Sequence, residues 1–192
     1  MNKMPRSYFE LAEDMTVPGR WALGTPTDGE GRELEDPWAF TDGRPMPAPG
    51  RLTVPVVSAG KALDFSRAGL CIPVVHVKVA TVFAELAPEE VQLFPVDLPQ
   101  QPEQFCILVA TRLIRCIDDN ASKAIERWLP EDGQPEKVGE YRNVRGMRID
   151  AAKVGDVRVF RPWGWNVALI ISEEIRDALV LAGATGAKFK QV

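Results

Sequence analysis

The first periodic segment is short: Ser7-Tyr8-Phe9-Glu10-Leu11 alternates well enough to pair in a sheet. From Val17 to Gly50 the chain turns to Gly and Pro, with turn signals at Pro18-Gly19, Asp28-Gly29 and Asp42-Gly43. Trp21, Leu23, Leu34, Trp38 and Phe40 punctuate this segment, and aromatic residues at that density pin a loop onto a core. It reads as a long, ordered loop, a kind that is uncommon in compact domains unless it carries function. Leu52 to Val57 is apolar but interrupted by Pro55, which predicts an edge strand.

The run Val74–Leu86 supports two periods at once. Val75, Val77 and Val79 alternate with His76 and Lys78, as in a strand. Val75, Val79, Val82, Phe83 and Leu86 also fall on one helical face. The run is long for a strand, and Pro73 and Pro88 bracket it as they would a helix, so we read a helix over 74–86. Val91–Val96 predicts a strand. Phe105–Ile117 predicts a bent central strand, closed by Asp118-Asp119-Asn120. Ala121–Leu129 fits either a short helix or a strand, and Glu131–Gly139 is a polar loop. Strands are expected at Val144–Ile149, Val157–Arg161 and Val167–Ile171.

The C-terminal pattern is the clearest. Ser172 suits an N-cap, and Glu173 and Glu174 place negative charge on the first turn. Ile175, Ala178, Leu179 and Ala182 share a face, and Gly183 follows as a C′ residue. A last strand, Ala187–Val192, alternates Ala187, Phe189 and Gln191 with Lys188 and Lys190. Displacing the chain by 96 residues lays Val79, Phe83, Leu86, Val91, Leu93 and Val96 on Ile175, Leu179, Ala182, Ala187, Phe189 and Val192. After a one-residue slip, Phe65 and Gly69 meet Phe160 and Gly164. This match admits either a duplication or two similar units in one fold.

The expectation is therefore one α+β domain over residues 1–192, with a mixed or antiparallel sheet and two or three helices. Residues 51–120 and 140–192 would be two similar βαβ-like lobes, preceded by a strand and a long loop in residues 1–50. The 192 residues are 45% hydrophobic and 26% charged, which excludes a wholly disordered chain. No run approaches the length of a membrane-spanning helix, and Met1–Asp14 carries too many charges for a secretory signal, so a cytoplasmic location is expected.

Charge changes the picture through its placement. Of the net −4, the whole excess lies in residues 1–50, with nine acids against five bases; the rest holds 18 of each sign. A nucleic-acid binder would show the reverse, a basic stripe facing phosphates. An acidic patch suits a basic protein partner, or simply a solvated loop.

Candidate chemistry is sparse. No phosphate loop, dinucleotide fingerprint, nucleophile elbow, zinc-protease helix, calcium loop or C-x-x-C pair is present. No catalytic residue, cofactor or metal ligand set is assigned. His76 is the only histidine and reads as a surface or helix-capping residue. Cys71, Cys106 and Cys116 cannot close a disulfide framework, and the last two lie in apolar runs where a thiol packs as a small hydrophobe. Asp118-Asp119 after an apolar strand could serve catalysis or form a turn, and turn formation is favoured. In Phe160-Arg161-Pro162-Trp163-Gly164-Trp165, an extended backbone would point Trp163 and Trp165 the same way. They could form a binding hot spot or close a core.

The segment from Phe105 through Cys116-Ile117-Asp118 resembles a bacterial immunity-protein family of polymorphic toxin systems, the eleventh catalogued and common in myxobacteria. Gly19-Arg20-Trp21-Ala22-Leu23-Gly24, Gly43 to Pro45, Pro95-Val96 and Phe160-Arg161 also match, as do Ile171-Ser172-Glu173 and Thr185 to Phe189. The resemblance runs over nearly the whole chain through order and spacing. Two positions depart: His76 stands where relatives tend to carry Ser, and an Asn common in the central strand is replaced within Leu108-Val109-Ala110.

The resemblance implies an antidote that binds and neutralises a cognate toxin by occlusion, with a basic nuclease as the natural class of toxin. Glu33, Glu35, Asp36 and Trp38 would anchor that partner, with Trp163 and Trp165 as further contacts. No nucleic acid and no membrane is expected as a partner. A scaffold or interaction module without a toxin partner is the alternative, and an enzyme of another type is a third.

Overall fold

The computed structural model describes residues 6–192. Fifteen strands and two α-helices appear among them. The N-terminal part holds β1 (Tyr8–Glu13), β2 (Ala22–Leu23), β3 (Thr27–Asp28), β4 (Leu52–Thr53) and β5 (Val56–Ser58). A compact unit follows: β6 (Phe65–Ala68), β7 (Ile72–His76), α1 (Val77–Leu86), β8 (Val91–Asp97) and β9 (Phe105–Ala110). Then come β10 (Leu113–Ile114), β11 (Ala124–Arg127) and β12 (Tyr141–Arg145). A second unit closes the chain: β13 (Val159–Pro162), β14 (Ile170–Ser172), α2 (Glu173–Leu181) and β15 (Ala187–Gln191). The class is α+β.

Two sheets carry the fold, ordered β3-β4-β8-β9-β7-β6 and β10-β13-β14-β1-β15. Within them lies one plan used twice. The order β6-β7-β9-β8, antiparallel throughout, is repeated by β13-β14-β1-β15. The strand between β14 and β15 is β1, from the opposite end of the chain. A second lobe drawn as 140–192 therefore lacks its own central strand.

The repeat extends to single hydrogen bonds. The first helical N–H of α1, on Val77, donates to the Gln104 carbonyl (2.9 Å); that of α2, on Glu173, donates to the Ser7 carbonyl (3.0 Å). His76 N–H meets the Asp64 carbonyl as Ser172 N–H meets that of Arg158, both at 2.8 Å. The helices superpose at an offset of 96, as the pattern suggested. The edge strands do not follow the one-residue slip, because Val75 pairs with Phe65 and its counterpart Ile171 pairs with Val159, not Phe160.

Burial explains the composition of β9. Cys106, Leu108 and Ala110 face a core shared by both helices, while Phe105, Ile107 and Val109 face a second core holding Trp21, Phe40 and Leu52. A strand covered on both faces reads as continuous apolar sequence. The helices contribute Val79, Phe83, Ile175 and Leu179 to the shared core. A third core, with Tyr8, Tyr141, Met147, Phe160 and Ile170, lies on the other face of the second sheet. Glu90 ties the two units: its Oε2 accepts from the N–H groups of Arg158 and Val159, each at 2.7 Å.

Several expectations need correction. The stretch 74–86 is not one helix: β7 runs to His76 and α1 starts at Val77, so both periods were real and adjacent. His76 caps the junction, its Nδ1 accepting from Lys78 N–H at 3.2 Å. The expected strand 105–117 breaks after Ala110, and β10 passes into the other sheet beside β13. Residues 52–57 form two separate strands around Pro55, and the strand expected at 144–149 lies at Tyr141–Arg145 instead. The undecided stretch 121–129 contains a strand, β11. Helix α2 ends as expected, with Gly183 N–H on the Val180 carbonyl and Ala184 N–H on that of Leu179.

Candidate interaction surface

The acidic loop is built by anchoring alternate positions. A short 3₁₀ turn over Pro37–Thr41 is capped by Asp36, whose Oδ1 accepts from Trp38 N–H at 3.2 Å. Phe40 is 1% exposed and sits in the core beside β9, whereas Trp38 is 55% exposed. Trp21 is held inside by its Nε1–H, which donates to Ser66 Oγ at 2.7 Å. The loop is thus fixed by two aromatic residues and presents a third to solvent. Glu33, Glu35 and Asp36 are all exposed. Glu33 is bridged to Thr27 on β3, so it lies on the hairpin limb of the loop.

Beyond the turn the loop crosses to the second sheet. Gly43 has φ +70°, and a Cβ there would lie 3.0 Å from Leu113 Cδ1 and 3.2 Å from Arg161 Cβ. Only glycine allows so close a passage in that conformation. Asp42 and Arg44, on either side of it, line a recess of about 220 Å³ with Leu113, Glu140, Trp163, Gly164 and Asn166. Burial, and then the charge of Asp36, raises the pKa of Asp42.

Trp163 also lines a second recess of about 210 Å³, with Arg115, Cys116, Ile117, Arg127, Tyr141 and Lys153. The Arg115 guanidinium lies 3.3 Å from the centroid of its ring. Arg127 stacks over Tyr141 at 4.3 Å and shares Asp119 with it; the Tyr141 hydroxyl donates to Asp119 at 2.6 Å. Burial first and Asp119 second push the Tyr141 phenol up to about 12. The two recesses differ in sign, one lined by two carboxyls and a guanidinium, the other by three cations, and Trp163 divides them. Each is smaller than the roughly 300 Å³ at which small-molecule sites begin.

Trp163 and Trp165 do not lie on an extended segment. A turn at Gly164, with φ +76°, separates them. Trp163 is half-buried between the recesses, and Trp165 packs against the third core. The structure thus puts Asp36 and Trp38 on the short turn that leads to Asp42, brings Asp42 and Trp163 to one recess, leaves Glu33 and Glu35 earlier on the loop, and packs Trp165 against the third core.

In the sequence Asp42 carries only its place in the Asp42-Gly43 turn and among the acids of residues 1–50, and Arg115 only its charge inside an apolar run; Arg44, Arg127, Glu140, Tyr141 and Lys153 carry no local signal for a site. Asp118 is structural, its Oδ1 accepting from Asn120 and Ala121 N–H at 3.0 Å each. Cys106 and Cys116 are buried, and burial raises both thiols, Cys116 to about 12, which leaves little thiolate for nucleophilic work.

Arg161 is fully buried beneath the surface. Its Nη1 donates to the Asn166 carbonyl at 2.7 Å, while Nε and Nη2 meet no acceptor among the described residues. Burial, and then Arg67, push it down to about 9, still protonated at neutral pH.

Among the described residues no group of three or more His, Cys, Asp or Glu is placed to hold a metal ion, and no helix is long and apolar enough to cross a membrane. No family model matches the chain, and no curated protein matches it.

Proposed function

We propose that this chain is an immunity protein that binds a cognate bacterial toxin in the cytoplasm and blocks it by occlusion. The observation that carries the reading is the rigid presentation of the acidic loop. Trp38 stands 55% exposed beside Asp36, while Phe40, two positions on, is locked in the core. A large aromatic ring held outward by a buried neighbour loses little conformational entropy on binding, as an interface anchor requires. Asp36 stands beside it, and the exposed Glu33 and Glu35 precede it on the same loop, negative charge that suits a basic surface such as that of a nuclease. The resemblance to the immunity family points the same way.

Co-expression of this chain with a candidate toxin, sought among the genes beside its own, tests the proposal. Cells should survive with the chain and die without it; death in both cases would refute it. Reversing Glu35 and Asp36 to lysine should slow association by about tenfold and flatten its salt dependence, because long-range steering acts on the encounter. Unchanged association kinetics would remove this loop from the interface.

A further inference from the structure

The internal repeat exposes a difference between the lobes. In the first, the outer edge of β8 is occupied. Gln92 holds Met46 through two hydrogen bonds of 2.9 Å, and β4 pairs in parallel at Val96 and Asp97. Pro95 removes one outward N–H from the same edge. In the second lobe β15 takes the place of β8, and it pairs with β1 alone.

Asp14 N–H donates to the Gly186 carbonyl, and Val192 N–H donates to that of Tyr8. By the alternation of an antiparallel ladder, Lys188 and Lys190 turn their backbone groups toward β1. Ala187, Phe189 and Gln191 turn theirs away from it. Among the described residues one group reaches that side, Arg148 Nη1, at 3.1 Å from the Gln191 carbonyl.

We infer that this edge is a second interaction surface, which takes an extended acidic segment of a partner protein as an added strand parallel to β15. The direction follows from β4 on β8. The chemistry follows from Lys188 and Lys190, both exposed and neither within ion-pair distance of an acid among the described residues; Asp14 acts on Lys188 only at longer range, and Glu10 stands opposite Lys190 on β1, the side away from the free edge. Main-chain bonds would supply affinity, and the lysines would select the charge of alternate side chains. The same lysines oppose pairing with a second copy, which would bring like charges together. The inference stands apart from the toxin reading, because it concerns a different element and the opposite charge.

The test uses two synthetic octapeptides, one alternating Glu and Val, the other alternating Lys and Val. The acidic peptide should bind about tenfold more tightly, from two cross-strand charge pairs, and should slow amide exchange at Phe189 and Gln191. Gln191→Pro copies Pro95 at the equivalent register position and removes an outward N–H while sparing the ladder to β1. It should weaken the acidic peptide by about fivefold or more. K188Q/K190Q, which changes exposed side chains only, should abolish the preference between peptides. Equal binding of the two peptides, unaltered binding to Q191P, or a concentration-dependent dimer dissolved by Q191P would overturn the inference, the last by making a second copy the occupant.

Discussion

Positions 76 and 172 occupy the same place in the two lobes, the residue before each helix, and the structure assigns them opposite energetic roles. His76 accepts from Lys78 N–H through Nδ1, and its ring meets Phe105 edge-on at 5.3 Å. Loss of a side-chain cap costs about 0.5–2 kcal/mol, and an aromatic contact adds roughly 0.5–1.5 kcal/mol. His76→Ala should therefore lose about 1–3.5 kcal/mol. Ser172 makes no such bond: its Oγ is buried with no partner among the described residues, and the Ser7 carbonyl already receives the Glu173 N–H. An unpaired buried hydroxyl costs about 1–3 kcal/mol, partly offset by the contacts its atom makes. Ser172→Ala should be neutral or stabilise by up to about 1 kcal/mol, whereas capping propensity alone would have it destabilise. Urea unfolding of both variants, compared at unchanged m-value, decides the matter. A loss of about 1 kcal/mol or more in Ser172→Ala would refute the assignment.

Two more outcomes follow from the same contacts. Phe40→Ala should cost about 3–5 kcal/mol if the loop stays docked, or less if the loop detaches locally; the two cases separate by amide exchange at Asp42 and Gly43, and a loss below about 1 kcal/mol with unchanged exchange would show that Phe40 is not the pin. Acid should also destabilise the fold. Burial raises the Asp64 carboxyl, but hydrogen bonds from Lys78 and Thr185 outweigh it and hold the pKa below its ordinary 3.8; those from Tyr141 and Arg127 lower Asp119. An acid whose folded pKa is depressed stabilises above its unfolded value and loses that contribution as pH falls through the folded one. Thermal midpoints should therefore drop below about pH 4, and Asp64→Asn should flatten that drop; an unchanged slope would refute the coupling.

What the chain declares locally is period, cap and charge. Helix α2, its acidic first turn and its Gly183 ending were readable from adjacent residues, as were β1, β8, β13, β14 and β15 and the anchoring aromatics of the acidic loop; the short strands β2 and β3 inside that loop, and β6, left no such pattern. The apolar run of β9 was readable too, because burial on both faces leaves no polar position to break it. The class and the exposed carboxylates needed no coordinates. What the tertiary structure decided were the partnerships. A strand records which way its side chains alternate but not which strand it joins, so the insertion of β1 between β14 and β15 left no local mark. For the same reason the end of β9 at Ala110 was invisible, since Leu113 and Ile114 are as apolar in one sheet as in the other. The recesses around Trp163 collect residues from six separate stretches of the chain, and Gly164 turns a pair of tryptophans that alternation would have aligned. Ser172 carries the local signature of a cap, yet its buried Oγ meets no helix N–H, while His76 at the same place in the first lobe does cap its helix. Such outcomes depend on competition among distant groups for the same hydrogen bonds and the same core, and only the folded chain resolves that competition.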